Sequence, residues 1–324
     1  MGHLIPKVAR FIRENKMSTN NLLNPPSDLV QSVPSTQSTV SKVESSITAL
    51  NNLPSESSPY VPSLGSDIQT AKSHGANWDN TVLPAIDGSL DAVQSWNGTF
   101  DSVYDNLLAA AQEIAENNAE GVDNFKSQLT TLQSATKTLS DKVSKVQPLL
   151  SGFLLDINND VRAFHGDAQQ AQSVQQQAYA NQQAARQKLQ RLYAEKAAKE
   201  RQLDSLGPLS ALAKAIEQLI ETITGQINDE QKTMSQAQQQ YQQAMQAAQI
   251  ANQTMSVANA YVSDSSSISN SVNQALDGWE TLESNFNVLL ESEDISSFNV
   301  FTQDVLASVK ADWQNLANQA VGTL

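Results

Sequence analysis

The sequence contains no cysteine, and only 12 glycines and 10 prolines in 324 residues, with aromatics at 6%. Without cysteine there can be no disulfide, thiolate metal site or thiol nucleophile, and exported and intracellular addresses stay equally open. Few aromatics beside abundant Gln, Ala, Ser, Asn and Leu starve β-structure of its preferred residues and suit long helices. Positive charge is also short: 20 Lys and Arg stand against 34 Asp and Glu, a net charge of −14. Such a surface repels a phosphate backbone, which argues against nucleic acid as a partner. No stretch reaches the ~18 uncharged apolar residues that a transmembrane helix needs, so the expected form before any membrane contact is a soluble monomer.

Catalytic chemistry is missing as well. The three histidines, His3, His74 and His165, lie far apart, and none has a partner at helical metal-ligand spacing. There is no glycine-rich phosphate loop, no Gly-x-Ser-x-Gly elbow and no calcium loop. The expectation is a protein with no catalytic residues, no metal and no cofactor. The acidic residues Glu291, Glu293 and Asp294 read as a helix boundary, and Trp78, Trp96, Trp279 and Trp313 as core anchors on apolar stripes.

What is present is helical periodicity. Residues 1–16 carry Lys7, Arg10, Arg13 and Lys16 without the apolar run of a secretory signal, so they read as a leader, with Met17 an alternative start. Six prolines between Pro25 and Pro62 make residues 1–65 an irregular N-terminal arm, interrupted by a helix from Thr36 to Leu50. A helix over Asp67 to Glu116, kinked or divided at Pro84, leads to a turn at Asn117 to Gly121. The next seam alternates three- and four-residue steps from Val122 to Leu203, broken only by Thr136 and bent at Pro148. If unbroken, such a helix spans ~120 Å at 1.5 Å per residue, which implies a rod. A third helix repeats Ile227, Met234, Tyr241, Ala248, Met255 and Val262 at sevens, with Ala237, Ala244, Ala251 and Ala258 allowing close helix approach. A last helix covers about Asp294 to Val321. The expected fold is all-α: an elongated bundle of long antiparallel helices, its tail formed by 66–204 and 228–324, with a small amphipathic segment, 205–227, at one end.

That segment holds the candidate site. At 100° per residue, Leu209, Leu212, Ala213, Ile216, Leu219, Ile220, Ile223 and Ile227 share one arc of roughly 120°, while Lys214, Glu217 and Glu221 cluster on a flank. Pro208 to Ile227 amounts to ~30 Å of helix, near the hydrocarbon thickness of a bilayer. Three charges at the bilayer centre would cost about 2.5 to 3.5 kcal/mol each, so a lone spanning helix is disfavoured against a ring with a wet lumen or a helix lying in the interface. Upstream, Arg186, Lys188, Arg191, Lys196, Lys199 and Arg201 form a basic collar, of which Lys196, Lys199 and Arg201 are candidates for lipid head-group contact. The bland alternatives are a core helix folded back on its own bundle and a solvated coiled-coil face.

Five short stretches resemble a known family: Ala76-Asn-Trp78 leading to Val82-Leu-Pro84, Phe164-His-Gly-Asp167, Leu206-Gly-Pro-Leu209, Leu276-Asp-Gly-Trp279-Glu-Thr-Leu282 and Ala311-Asp-Trp313-Gln-Asn-Leu316. Together with the order of helices, they resemble the α-helical pore-forming toxins related to haemolysin BL, the non-haemolytic enterotoxin and cytolysin A. The resemblance implies a secreted toxin component, acting on the target-cell lipid membrane and partnered by homologous toxin subunits. It also implies that Leu206, Leu209, Leu212, Ile216, Leu219, Ile220, Ile223 and Ile227 form the head that enters the membrane, with Lys214, Glu217 and Glu221 on its lumen or polar flank. Family heads are commonly longer and more apolar, so this one fits a partner subunit better than a solo pore-former. The competing reading is a coiled-coil scaffold or secretion-apparatus protein whose segment packs against a partner helix; substitution of Ile216 and Ile220 by Asp is expected to separate the two.

Overall fold

The computed structural model describes residues 22–55, 58–206, 211–293 and 295–321. The basic stretch 1–16 and the junction 207–210, which includes Pro208 and Leu209, lie outside the described residues. Seven α-helices are described: α1 (Ser27–Asn51), α2 (Leu64–Asn77), α3 (Leu83–Ala115), α4 (Ala119–Ser144), α5 (Val146–Asp204), α6 (Ala211–Leu290) and α7 (Gln303–Ala320). A π-helical turn, Trp78–Val82, joins α2 to α3, and a short 3-10 turn, Ile295–Ser297, precedes α7. Among the described residues there is no β-strand; the one bridge, Ser58 to Val61, is isolated.

Most departures from the sequence expectation occur where side-chain burial overrides a local signal. The arm expected to be irregular up to Thr36 is helical from Ser27, and the helix runs through Pro34. An interior proline costs about 3 kcal/mol. Leu29, Val33, Val40, Val43 and Ile47 on the inward stripe are all buried, at about 1.5 to 3 kcal/mol each, while Pro34 itself is exposed. The expected helix is divided just before Pro84: a π-turn separates α2 from α3, with Leu83 N–H bonding the Trp78 carbonyl, and the proline falls in the first turn of α3 where its missing N–H is tolerated. Pro148 likewise starts a helix, since the seam breaks at Lys145. The last helix begins at Gln303 rather than near residue 294, capped by the Thr302 side chain. The preceding turns instead drive Phe298 and Phe301 against Phe125, with ring centroids 5.6 and 5.2 Å away.

The chain divides into two compact units. The first comprises residues 1–49, 73–158 and 260–324. Its core is aromatic: Trp78, Trp96, Trp279 and Trp313 are fully buried, the Trp96 and Trp313 rings lie 3.7 Å apart, and Trp279 is 6.1 Å from Trp313. The tryptophans are thus core anchors, and their N–H groups explain two polar features. Trp313 donates to the Leu23 carbonyl at 2.8 Å, and Trp96 donates to the Thr136 hydroxyl at 2.8 Å. Thr136 interrupts the apolar seam of α4 because it is the acceptor that a buried indole requires. The α3–α4 turn places Asn117 in the left-handed region (φ 61°), and a Cβ at Gly121 would meet the Ile114 backbone nitrogen at 2.8 Å, so only glycine fits.

The second unit comprises residues 50–72 and 159–259. Here α5 and α6 pack antiparallel, as the pairs Lys188–Glu230, Tyr193–Gln231 and Tyr179–Tyr241 require. Ala237, Ala244, Ala251 and Ala258 are buried in the seam, the close approach expected from their spacing. Residues 50–72 lay Leu53, Val61, Leu64 and Ile68 over Phe164, Ala171, Ala247 and Ala251. The Ser63 hydroxyl donates to the Asp167 carboxylate at 2.5 Å, while the second carboxylate oxygen is buried without a partner. Burial raises the Asp167 pKa above its ordinary value, the Ser63 hydrogen bond opposes the rise, and nearby Asp67 adds to it.

Candidate functional site

The segment between the two longest helices is the opening of α6, with no break between it and the third predicted helix. Its heptad register begins at Ala213 and continues through Ile216, Ile220, Ile223, Ile227, Glu230, Met234 and Ala237 at alternating three- and four-residue steps. The structure divides the seven described residues of the arc, Leu212 to Ile227, along that register. Ala213, Ile216, Ile223 and Ile227 are buried, and Ile220 is half-buried. Ile223 and Ile227 meet Leu189 and Leu192 of α5 in one cluster, with Met234 beside them. Leu212 and Leu219, each one residue before a seam position, remain 55% and 46% exposed.

Lys214, Glu217 and Glu221 are all exposed and lie on the far side of the seam from the two leucines. The opening of α6 therefore has three faces: a seam held by α5, a leucine edge open to the surroundings, and a charged edge opposite. Leu206, at the end of the turn after α5, is half-buried, and Leu209 lies outside the described residues. Among the described residues, no helix is long and apolar enough to cross a membrane.

The basic residues separate in the same way. Lys196 and Lys199 continue the α5 seam beyond Leu189 and Leu192 at the same three-four step and are half-buried, so their aliphatic stems pack while the ammonium groups reach outward. Lys196 pairs with Glu200 at 3.8 Å, and Lys199 contacts the Gln202 amide oxygen at 3.5 Å. Arg201 is exposed, its Nε donating to the Ala197 carbonyl at 3.2 Å. Lys188 pairs with Glu230, which is almost buried in the seam. The leucine edge was the feature the residue pattern concealed; carrying the strict seven-residue repeat back from Ile227 would have separated Leu212 and Leu219 from the seam.

Four of the five stretches that carry the resemblance have packing roles; in the fifth, residues 207–209 lie outside the described residues. Trp78, Phe164, Trp279 and Trp313 are fully buried, and a Cβ on Gly278 would lie 2.6 Å from Leu29 Cγ, so that glycine lets α1 approach α6. Asp312 accepts a hydrogen bond from the Asn24 amide at 3.1 Å.

The fold and part of the sequence are similar to those of α-helical pore-forming toxins. Residues 43–198, just under half of the chain, match the model of the Bacillus haemolytic enterotoxin (HBL) family. Solved structures share the fold at low identity. The HblL1 toxin component of Bacillus cereus superposes with a TM-score of 0.60 at 16% identity, covering 92% of this chain and 96% of that one. A soluble head mutant of AhlC, from the tripartite α-pore-forming toxin AHL of Aeromonas hydrophila, gives 0.63 at 14% identity, covering 91% and 98%. The SmhB pore of the tripartite toxin Smh from Serratia marcescens gives 0.53 at 11% identity, covering 91% and 100%.

Proposed function

We propose that this chain is a secreted, non-enzymatic component of a multi-subunit α-helical pore-forming toxin, and that it contacts the target-cell membrane through the leucine edge at the start of α6. The observation that carries the reading is the exposure of Leu212 and Leu219 on a helix whose seam is already occupied. Large apolar side chains left in water beside a satisfied seam gain free energy from lipid at no cost to the fold. The charged edge opposite keeps Lys214, Glu217 and Glu221 in water while the leucines enter the interface, which avoids the penalty of charges in hydrocarbon. Arg201, exposed just before the turn, is placed in sequence to meet an anionic head group.

A helix with so short an apolar edge suits a subunit that joins a more apolar companion better than one that spans a bilayer alone. Liposome flotation in sucrose tests the membrane step: the chain is expected to float with vesicles containing anionic lipid, and to release an entrapped dye only when related toxin subunits are added. Failure to float with such vesicles, both alone and with a full set of those subunits, would overturn the reading in favour of a partner helix on the leucine edge.

A further inference from the structure

Charged residues make up 17% of the chain, about one in six, yet residues 168–185 of α5 and 233–259 of α6 contain none. The two stretches run alongside each other in the antiparallel pair, where the Tyr179 and Tyr241 rings lie 6.1 Å apart. Together they hold 17 glutamines. Residues 50–72 cover part of this region, around Phe164, Ala247 and Ala251. Over 172–185 and 233–246, by contrast, Gln176, Gln177, Gln239 and Gln242 are exposed, Tyr179 is 52% exposed and Met245 37%.

A helix pair needs charge on its outer faces neither for helix formation nor for packing, but it commonly uses charge for solubility. An uncharged belt on a chain of net charge −14 therefore marks a face on which like charge would be harmful. The approaching body for which negative charge is most harmful is another molecule with the same −14 charge. Amide side chains also suit that partner: each carries donors and an acceptor, so a glutamine face is complementary to itself. Tyr179 and Met245 supply the apolar anchors typical of interface cores.

We infer that this amide belt is the face on which a second copy of the chain docks during assembly. The inference rests on the reading of the chain as an assembling toxin component, and it goes further by naming the contact surface. Two triple variants test it: Gln176→Glu with Gln239→Glu and Gln242→Glu, and the same three positions changed to Lys. Assembly is followed by sedimentation in mild non-ionic detergent, which requires no membrane binding, with circular dichroism as the control for helix content. The parent chain is expected to form oligomers, each variant alone to remain monomeric, an equimolar mixture of the two to recover oligomers, and the defect of either to shrink at high salt as the introduced charges are screened. A parent that stays monomeric, a Glu variant that assembles like the parent, or a mixture that fails to recover would each overturn the inference. Vesicle flotation of the parent separates this result from the membrane reading: oligomers in detergent without flotation, both alone and with related toxin subunits, would sink that reading and leave the belt standing.

Discussion

Replacing Leu212 and Leu219 together by Ala should weaken membrane binding without harming the fold. Fully burying a leucine is worth about 1.5 to 3 kcal/mol, and roughly half of each side chain is already covered in the folded protein. Lipid contact can therefore return only the other half, about 1 kcal/mol per residue. Losing both lowers partitioning by about 2 kcal/mol, or roughly 30-fold, since each 1.4 kcal/mol is a factor of ten. Stability should change by no more than about 0.5 kcal/mol, because the sites are half exposed and alanine is a good helix former. Ile216→Ala with Ile223→Ala provides the contrast: both residues are almost fully buried, and each should cost about 2 to 5 kcal/mol of stability. For the same reason, Asp at Ile216 would unseat the helix and report on the fold, so the leucines separate the toxin and scaffold readings more cleanly. Titration of vesicles against each variant, paired with urea unfolding, measures both quantities. A leucine variant that partitions like the parent, or that unfolds like the isoleucine variant, would refute the reasoning.

Other perturbations probe the packing. Thr136→Val leaves the buried Trp96 indole N–H without its acceptor and should cost about 1 to 3 kcal/mol in urea unfolding. Gly278→Ala forces a Cβ to within 2.6 Å of Leu29 Cγ and 3.0 Å of its backbone nitrogen, which should cost about 1 to 3 kcal/mol and loosen α1, read as faster amide exchange in residues 27–51. Asp167→Asn should raise thermal stability by about 1 kcal/mol at neutral pH, since it removes a buried charge with one unpaired oxygen. The sign follows from the raised pKa. In the parent this group's stabilising contribution is complete below the unfolded value of about 4 and is lost as pH rises through the higher folded value, so the variant's advantage should vanish in acid and grow toward neutrality. An advantage that grows in acid would contradict it.

The long helices were legible because their seams repeat at three and four residues for many turns, a signal few local exceptions can hide. The tryptophans were legible for a related reason, since each sits on an apolar stripe. Other features depended on partners far away in sequence. Thr136 reads as a flaw until Trp96 is placed against it, and Pro34 reads as a helix stop until the buried stripe from Leu29 to Ile47 is seen. Phe298 and Phe301 have helical spacing but are held in turns by Phe125. In the candidate site, a helical wheel groups apolar residues from Leu212 to Ile227 that the helix pair divides, because a wheel shows which side chains share a face but not where the neighbouring helix stops covering it. Lys196 and Lys199 show the same limit: their charge suggests an open collar, and only their register reveals that their stems lie in the seam while the ammonium groups reach outward.

The most direct test of the central claim uses the absence of cysteine, which makes single-cysteine labelling free of background. An environment-sensitive fluorophore attached through Leu219→Cys and, in a second protein, through Glu221→Cys would report the two edges of α6 separately. On addition of anionic vesicles the label at 219 should shift to the blue and become accessible to a lipid-borne quencher, while the label at 221 stays in water. Equal shifts at both positions, or no shift at 219, would contradict the assignment of the leucine edge as the surface that meets lipid.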